Sequence, residues 1–157
     1  MRIPRIYLET SIFNFVFADD APDKKTDTLK LFEEIKAGKY EPFTSVHVVE
    51  ELKRDKTSKS DKMQDLIDDY GITVLKSTVD IEKLADVYIT ENMIPAKYAD
   101  DALHIATASV AGLDIITSWN FKHIVKVKTI TLTESINLKY GDKMILINSP
   151  TEVIEHE

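Results

Sequence analysis

Short runs rich in β-branched and aromatic residues alternate with helical periods along this chain, and that alternation narrows its fold more than any other feature. The extended runs are Ile3 to Glu9, Glu41 to Ser45, Ile72 to Leu75, Asp114 to Thr117 and Met144 to Ile147. Between the first two, Thr10 and Ser11 offer hydroxyls to cap a short helix through Phe17, and Leu29, Leu31, Phe32 and Ile35 mark a helix from Lys24 to Lys36, stopped by Gly38. Val46, Val49 and Leu52 open a further helix. Met63, Leu66, Ile67 and Tyr70 fall at i, i+3, i+4 and i+7, and Ile81, Leu84, Ala85, Tyr88 and Ile89 repeat that spacing. After Pro95 a helix opening at Asp100 or Asp101 and ending at Gly112 is apolar nearly all round, so it belongs deep in the core. A last helix is expected around Thr133 to Tyr140. Strands that alternate with helices make an α/β domain with a mainly parallel sheet, joined by short right-handed connections.

The 157 residues suit one domain, residues 1–157, and at this length roughly 70% of the unfolded surface can be buried without staples. None are available: the chain has no Cys, which excludes disulfides, thiolate zinc sites and a Cys nucleophile, and suits a reducing cytoplasm. No signal-peptide core precedes Glu9 and Asn14, and the longest nearly apolar stretch, Ala102 to Leu113, is far short of a membrane span. A cytoplasmic protein without a membrane partner is the expectation. With 27 acidic against 20 basic residues the formal charge is -7. A protein that coats nucleic acid needs a broad field of Lys and Arg, so a generic coat is excluded, although nucleic acid as a substrate is not.

In open α/β sheets ligands bind outside the carboxyl ends of the strands. Glu9 ends the first strand, and Asn120 follows the strand closing at Thr117. Two acids can join them from helices: Glu51, or its neighbour Glu50, and one of Asp100 and Asp101. Carboxylates with an amide oxygen, and no Cys or paired His, form a hard oxygen set that favours Mg²⁺ or Mn²⁺ over zinc. Each has a plainer reading as a solvated strand end, a wet helix face or a dipole-paired acid at a helix start. His104 reads as a hydrogen-bonded core histidine, and Trp119 and Phe121 as packing residues.

Four segments in order, IYLETSIFNF, TSVHVVEEL, ADDALHIATASVAGLDIIT and SWNFKHI, together resemble the PIN-domain family, which includes the toxin ribonucleases of VapBC toxin–antitoxin pairs. The closing INSPTEVI resembles the end of one subfamily, in which Trp-Asn and Lys-His follow the fourth strand. The likeness spans essentially the whole chain. It implies a three-layer α/β/α sandwich whose central, mainly parallel sheet has four or five strands. It implies a metal-dependent endoribonuclease, a hydrolase of RNA phosphodiester bonds that uses Mg²⁺ or Mn²⁺. By position, the family's acids fall on Glu9, Glu51 and Asp101, its fourth polar position on Asn120, and its hydroxyls on Thr10 and on Thr117 or Ser118. A small antitoxin partner and a homodimer are implied as well.

Two departures bear on activity. Glu9 is one methylene longer than the Asp usual at the first position, and Asn120 removes a charge at the fourth, so a catalytically weakened PIN-like module binding RNA or protein is the alternative. Two segments run against the overall charge. Lys53 to Lys62 holds five basic residues against two acids, and Phe121 to Ile130 holds Lys122, Lys126 and Lys128 without an acid. Lys122 and Lys126 are therefore the candidate substrate contacts.

Overall fold

The computed structural model describes residues 2–156. Five short strands form one sheet, β1 (Arg5–Leu8), β2 (Glu41–Ser45), β3 (Thr73–Leu75), β4 (Ile115–Thr117) and β5 (Leu146–Asn148), in the order β3-β2-β1-β4-β5. Every pairing is parallel. The expected strands are all present, and the mainly parallel sheet is parallel throughout.

Eight helices connect and cover it: α1 (Thr10–Phe15), α2 (Pro22–Lys36), α3 (Val46–Arg54), α4 (Lys59–Asp69), α5 (Val79–Thr90), α6 (Ala99–Val110), α7 (Val127–Tyr140) and α8 (Pro150–Val153). The chain runs outward from β1 to β2 and β3, then returns past both to β4 and on to β5. With right-handed crossovers this reversal puts α1 to α4 on one face and α5 to α7 on the other, giving three layers. The reversal makes the β1/β4 boundary the topological switch point, where the carboxyl ends of the strands open a crevice.

The core lies where the layers meet the sheet. Ile6, Tyr7 and Leu8 of β1 are fully buried, as parallel strands covered on both faces must be. Helix α6 buries Ala102, His104, Ile105, Ala106, Thr107, Ala108 and Ser109, in agreement with its nearly continuous apolar sequence. Its small residues let α5 approach closely, and Tyr88 of α5 reaches Ser109 of α6 and Asn137 of α7 by hydrogen bonds. Several boundaries differ from the sequence reading by a few residues, β5 falling at Leu146–Asn148 rather than Met144 to Ile147, and the short helix α8 is absent from that reading. Helix α7 starts at Val127 rather than near Thr133, because its first turn is written in β-branched residues, and Thr129 fits there by bonding the His123 carbonyl. A single 3₁₀ turn, Ala96–Tyr98, intervenes after Pro95.

Candidate active site

The end of β1 delivers Glu9 to the switch point. Its backbone N–H bonds the Thr117 carbonyl at 3.2 Å, continuing the register that pairs Leu8 with Thr117. Extended backbone there makes Glu9 the N-cap of α1, and its carboxylate folds back over the helix start. Oε1 accepts from Ser11 N (3.2 Å), Ser11 Oγ (2.6 Å) and Ser118 Oγ (2.6 Å). One carboxylate oxygen is thus fully engaged by the two loops that meet at the crevice, while Oε2 carries no such contact. The extra methylene of Glu is used in this fold-back.

Ser11, read from the sequence only as a helix cap, is a site residue, and of the two hydroxyls offered after β4, Thr117 or Ser118, it is Ser118 that reaches Glu9. Ser118 Oγ both donates to Glu9 and accepts the Asn120 N–H at 2.9 Å, and Ser11 Oγ accepts the Trp119 N–H at 2.8 Å. The signal was a hydroxyl two residues after a strand-end acid and another directly after β4. Thr117, the hydroxyl chosen at β4, is fully buried with its Oγ1 unpartnered, and Ser118 supplies the contact to Glu9.

Glu51 comes from α3 and meets α6 through His104: His104 Nε2 donates to Glu51 Oε1 at 2.5 Å. Behind it, His104 Nδ1 bonds Tyr7 Oη at 2.7 Å, and Tyr7 Oη bonds Ser45 Oγ at 2.7 Å. Burial disfavours the charged form of each partner, and the Glu51–His104 hydrogen bond outweighs it, holding Glu51 below its ordinary range and His104 above. In either protonation state of His104 the Nε2–H stays on Glu51: a protonated ring donates Nδ1–H to Tyr7, and a neutral one accepts the Tyr7 hydroxyl while Tyr7 accepts from Ser45. His104 is the buried, hydrogen-bonded histidine expected, and its bond is to a candidate acid. Of the adjacent acids, Glu50 is exposed and Glu51 is the half-buried one turned to the site.

Asp101 stands in the first turn of α6, partly buried, while Asp100 beside it is exposed and faces Arg54 at 3.5 Å. Burial pushes the Asp101 carboxyl up to about 6; the His104 charge and the Asn120 side chain oppose the rise, and Glu9 and Glu51 add to it. The three acids therefore feel one another. His123 Nδ1 approaches Asp101 Oδ2 at 3.2 Å, yet burial and the charges of Lys122, Lys126 and Lys97 keep this imidazole below its usual range. A neutral ring lying beside Asp101 without a well-aligned hydrogen bond accounts for both observations.

Asn120 stands beside Asp101 and also holds the turn that follows β4. Its Oδ1 accepts the His123 N–H at 2.9 Å and its backbone carbonyl accepts from Ile124 and Val125, so it pins the turn after β4. Trp119 packs against Phe15 and donates Nε1–H to Thr28, in line with a packing role. Thr10 opens α1; its buried Oγ1 has no well-aligned hydrogen bond but lies near enough to Glu51 to favour the ionised form.

The donor set suits a hard divalent cation in charge and in chemistry: three carboxylates, two of them raising the third, and the unpartnered hydroxyl of Thr10. Among the described residues no three acidic or histidine side chains stand close enough together to hold an ion directly. A separate cavity of about 740 Å³ beside α5 and α7 is lined by Asp80, Asp86 and Asp142, the wrong sign for an anionic substrate, and none of the candidate acids borders it.

Neither a protein-family model nor a curated protein matches this sequence. A solved structure does match the fold: a chain of VapBC2 from Rickettsia felis bound to a DNA fragment from their promoter, at 16% identity and TM-score 0.56, over 92% of this chain and 98% of that one. The fold is PIN-like. The full-length overlay agrees with the five-stranded parallel sheet and its two helical layers. Among the described residues no helix is long and apolar enough to cross a membrane.

Proposed function

We propose that the protein is a metal-dependent endoribonuclease, and that it acts as the toxin of a toxin–antitoxin pair. The observation that carries the reading is the arrival of Glu9, Glu51 and Asp101, from β1, α3 and α6, at the switch point of a PIN-like sheet, close enough for two of the charges to raise the third. Glu9, Asp101 and Glu51 would hold Mg²⁺ or Mn²⁺, in part through water. Such an ion, when bound, supplies a water of lowered pKa and offsets charge growing on the scissile phosphate.

The chain's own groups prepare that chemistry. Ser11 and Ser118 fix one oxygen of Glu9 and leave the other without a hydrogen bond from the protein. His104, held by Tyr7, keeps Glu51 ionised and oriented. Asn120 holds the turn that carries His123 to Asp101, and with its carbonyl engaged it leaves three acids, a set suited to one ion rather than two. In-line attack leaves a 5′-phosphate and a 3′-hydroxyl.

The toxin role rests on the similarity of fold to VapBC2 and on the sequence resemblance; a small antitoxin that covers the crevice and a homodimer belong to that role. The test is cleavage of single-stranded RNA in Mn²⁺. Glu9→Gln, Glu51→Gln and Asp101→Asn should each lower the rate by about a hundredfold or more. A second reading, an RNA-binding module with a weakened site, draws on the engaged Asn120 carbonyl and the open ligand set. It predicts RNA binding with no cleavage in any divalent ion.

A further inference from the structure

We propose that Lys97 and Lys122, gathered at the Tyr98 ring, form a clamp for a phosphate of single-stranded RNA flanking the scissile one, on the His123 side of Asp101. The identity of the polyanion rests on the nuclease reading above; the clamp itself rests on separate observations. Two segments distant in sequence, the 3₁₀ turn Ala96–Tyr98 and the turn after β4, are joined where Tyr98 stacks on His123, with ring centroids 3.9 Å apart and planes at 34°. Lys97 Nζ lies 5.2 Å and Lys122 Nζ 5.8 Å from the centroid of the Tyr98 ring, within reach of its negative face. One aromatic ring thus gathers two exposed ammonium groups from different parts of the chain.

The charges are concentrated and unanswered. Lys97, Lys122 and Lys126 all bear on His123. Among the described residues none of the three has a carboxylate within ion-pair distance, whereas Lys25, Lys39, Lys139 and Lys143 each do. Other lysines of the chain also stand without an acid; what sets Lys97 and Lys122 apart is that one aromatic ring gathers both. Their mutual repulsion is relieved by an anion. The His123–Asp101 contact at 3.2 Å then fixes the clamp next to the candidate acids without placing it on them. Lys97 and Tyr98 precede α6 in an unremarkable AKY segment, so sequence alone gives no reason to pair them with the loop more than twenty residues on.

The experiment is fluorescence anisotropy of a labelled single-stranded RNA oligomer in EDTA across a salt series, with cleavage in Mn²⁺ measured in parallel. Each phosphate contact contributes roughly 0.7 to the slope of log affinity against log salt for single strands. Lys97→Ala and Lys122→Ala should each reduce the slope by about that amount, and Lys76→Ala, a control on exposed loop, should not. Tyr98→Phe should keep wild-type binding, and Tyr98→Leu, which keeps bulk but loses the aromatic face, should weaken it several-fold. Unchanged slopes in both lysine variants, or no RNA binding by the wild type, overturn the clamp. If slopes fall as expected and no RNA is cleaved in Mn²⁺, the clamp stands and the nuclease reading fails; if RNA is cleaved and the slopes are unchanged, the reverse holds.

Discussion

Asp101 is where burial and neighbouring charge most clearly oppose an ordinary side-chain preference. Its folded-state value of about 6 lies above the roughly 3.9 of an unperturbed Asp. The native state therefore holds more protons than the unfolded state between about pH 4 and pH 6, and stability falls as pH rises through that window. Above pH 6 the charged carboxylate is a constant penalty of up to about 3 kcal/mol. Asp101→Asn should accordingly stabilise the metal-free protein by about 1–3 kcal/mol at pH 8 and change it little at pH 4, measured by urea unfolding in EDTA. Equal stability at pH 8 would mean that neither burial nor the charges of Glu9 and Glu51 penalise this carboxylate. The neighbouring acids were chosen from the sequence by position in a resemblance; their exposure separates them, with Glu50 and Asp100 in solvent. From the sequence Ser11 reads only as a cap and Ser118 only as an alternative to Thr117, because a serine near a turn is ordinary and only the β1–β4 register brings both onto one oxygen of Glu9.

At the scale of elements, α5, α6 and α7 are tied by a buried polar cluster. Asn137 accepts from Tyr88 Oη at 2.5 Å and donates to Ser109 Oγ and the Lys143 carbonyl, both at 2.9 Å. Asn137→Ala strips partners from two fully or nearly fully buried hydroxyls and should cost about 2–4 kcal/mol by chemical denaturation. A cost below 0.5 kcal/mol would show that water replaces the amide. Most elements were legible because periodicity and punctuation agree: β2 falls at Glu41–Ser45 as expected, and α4 and α5 carry the i, i+3, i+4 spacing. The start of α7 was not, since Val127, Thr129, Ile130 and Thr131 have the composition of a strand and are held helical by tertiary contacts such as Thr129 to His123. The turn Ala96–Tyr98 is too short to leave a period at all.

At the scale of the molecule, the charge of -7 is distributed by function. Acids converge at the β1/β4 switch point while unpaired lysines gather beside it, so an acidic protein can present a locally basic approach to the site proposed to hold a cation. Binding of that cation to the native state alone must raise stability by mass action, about 2.7 kcal/mol at a hundredfold excess over Kd. Mn²⁺ should therefore raise the melting temperature of the wild type by several degrees, and a Glu9→Gln, Asp101→Asn double variant should show no such rise. The central claim is tested most directly by single-turnover cleavage of a labelled single-stranded RNA with purified protein, wild type against Asp101→Asn. The expected result is cleavage by the wild type in Mn²⁺, none in EDTA, and a loss of about a hundredfold or more in the variant. Cleavage by Asp101→Asn at the wild-type rate would contradict the account.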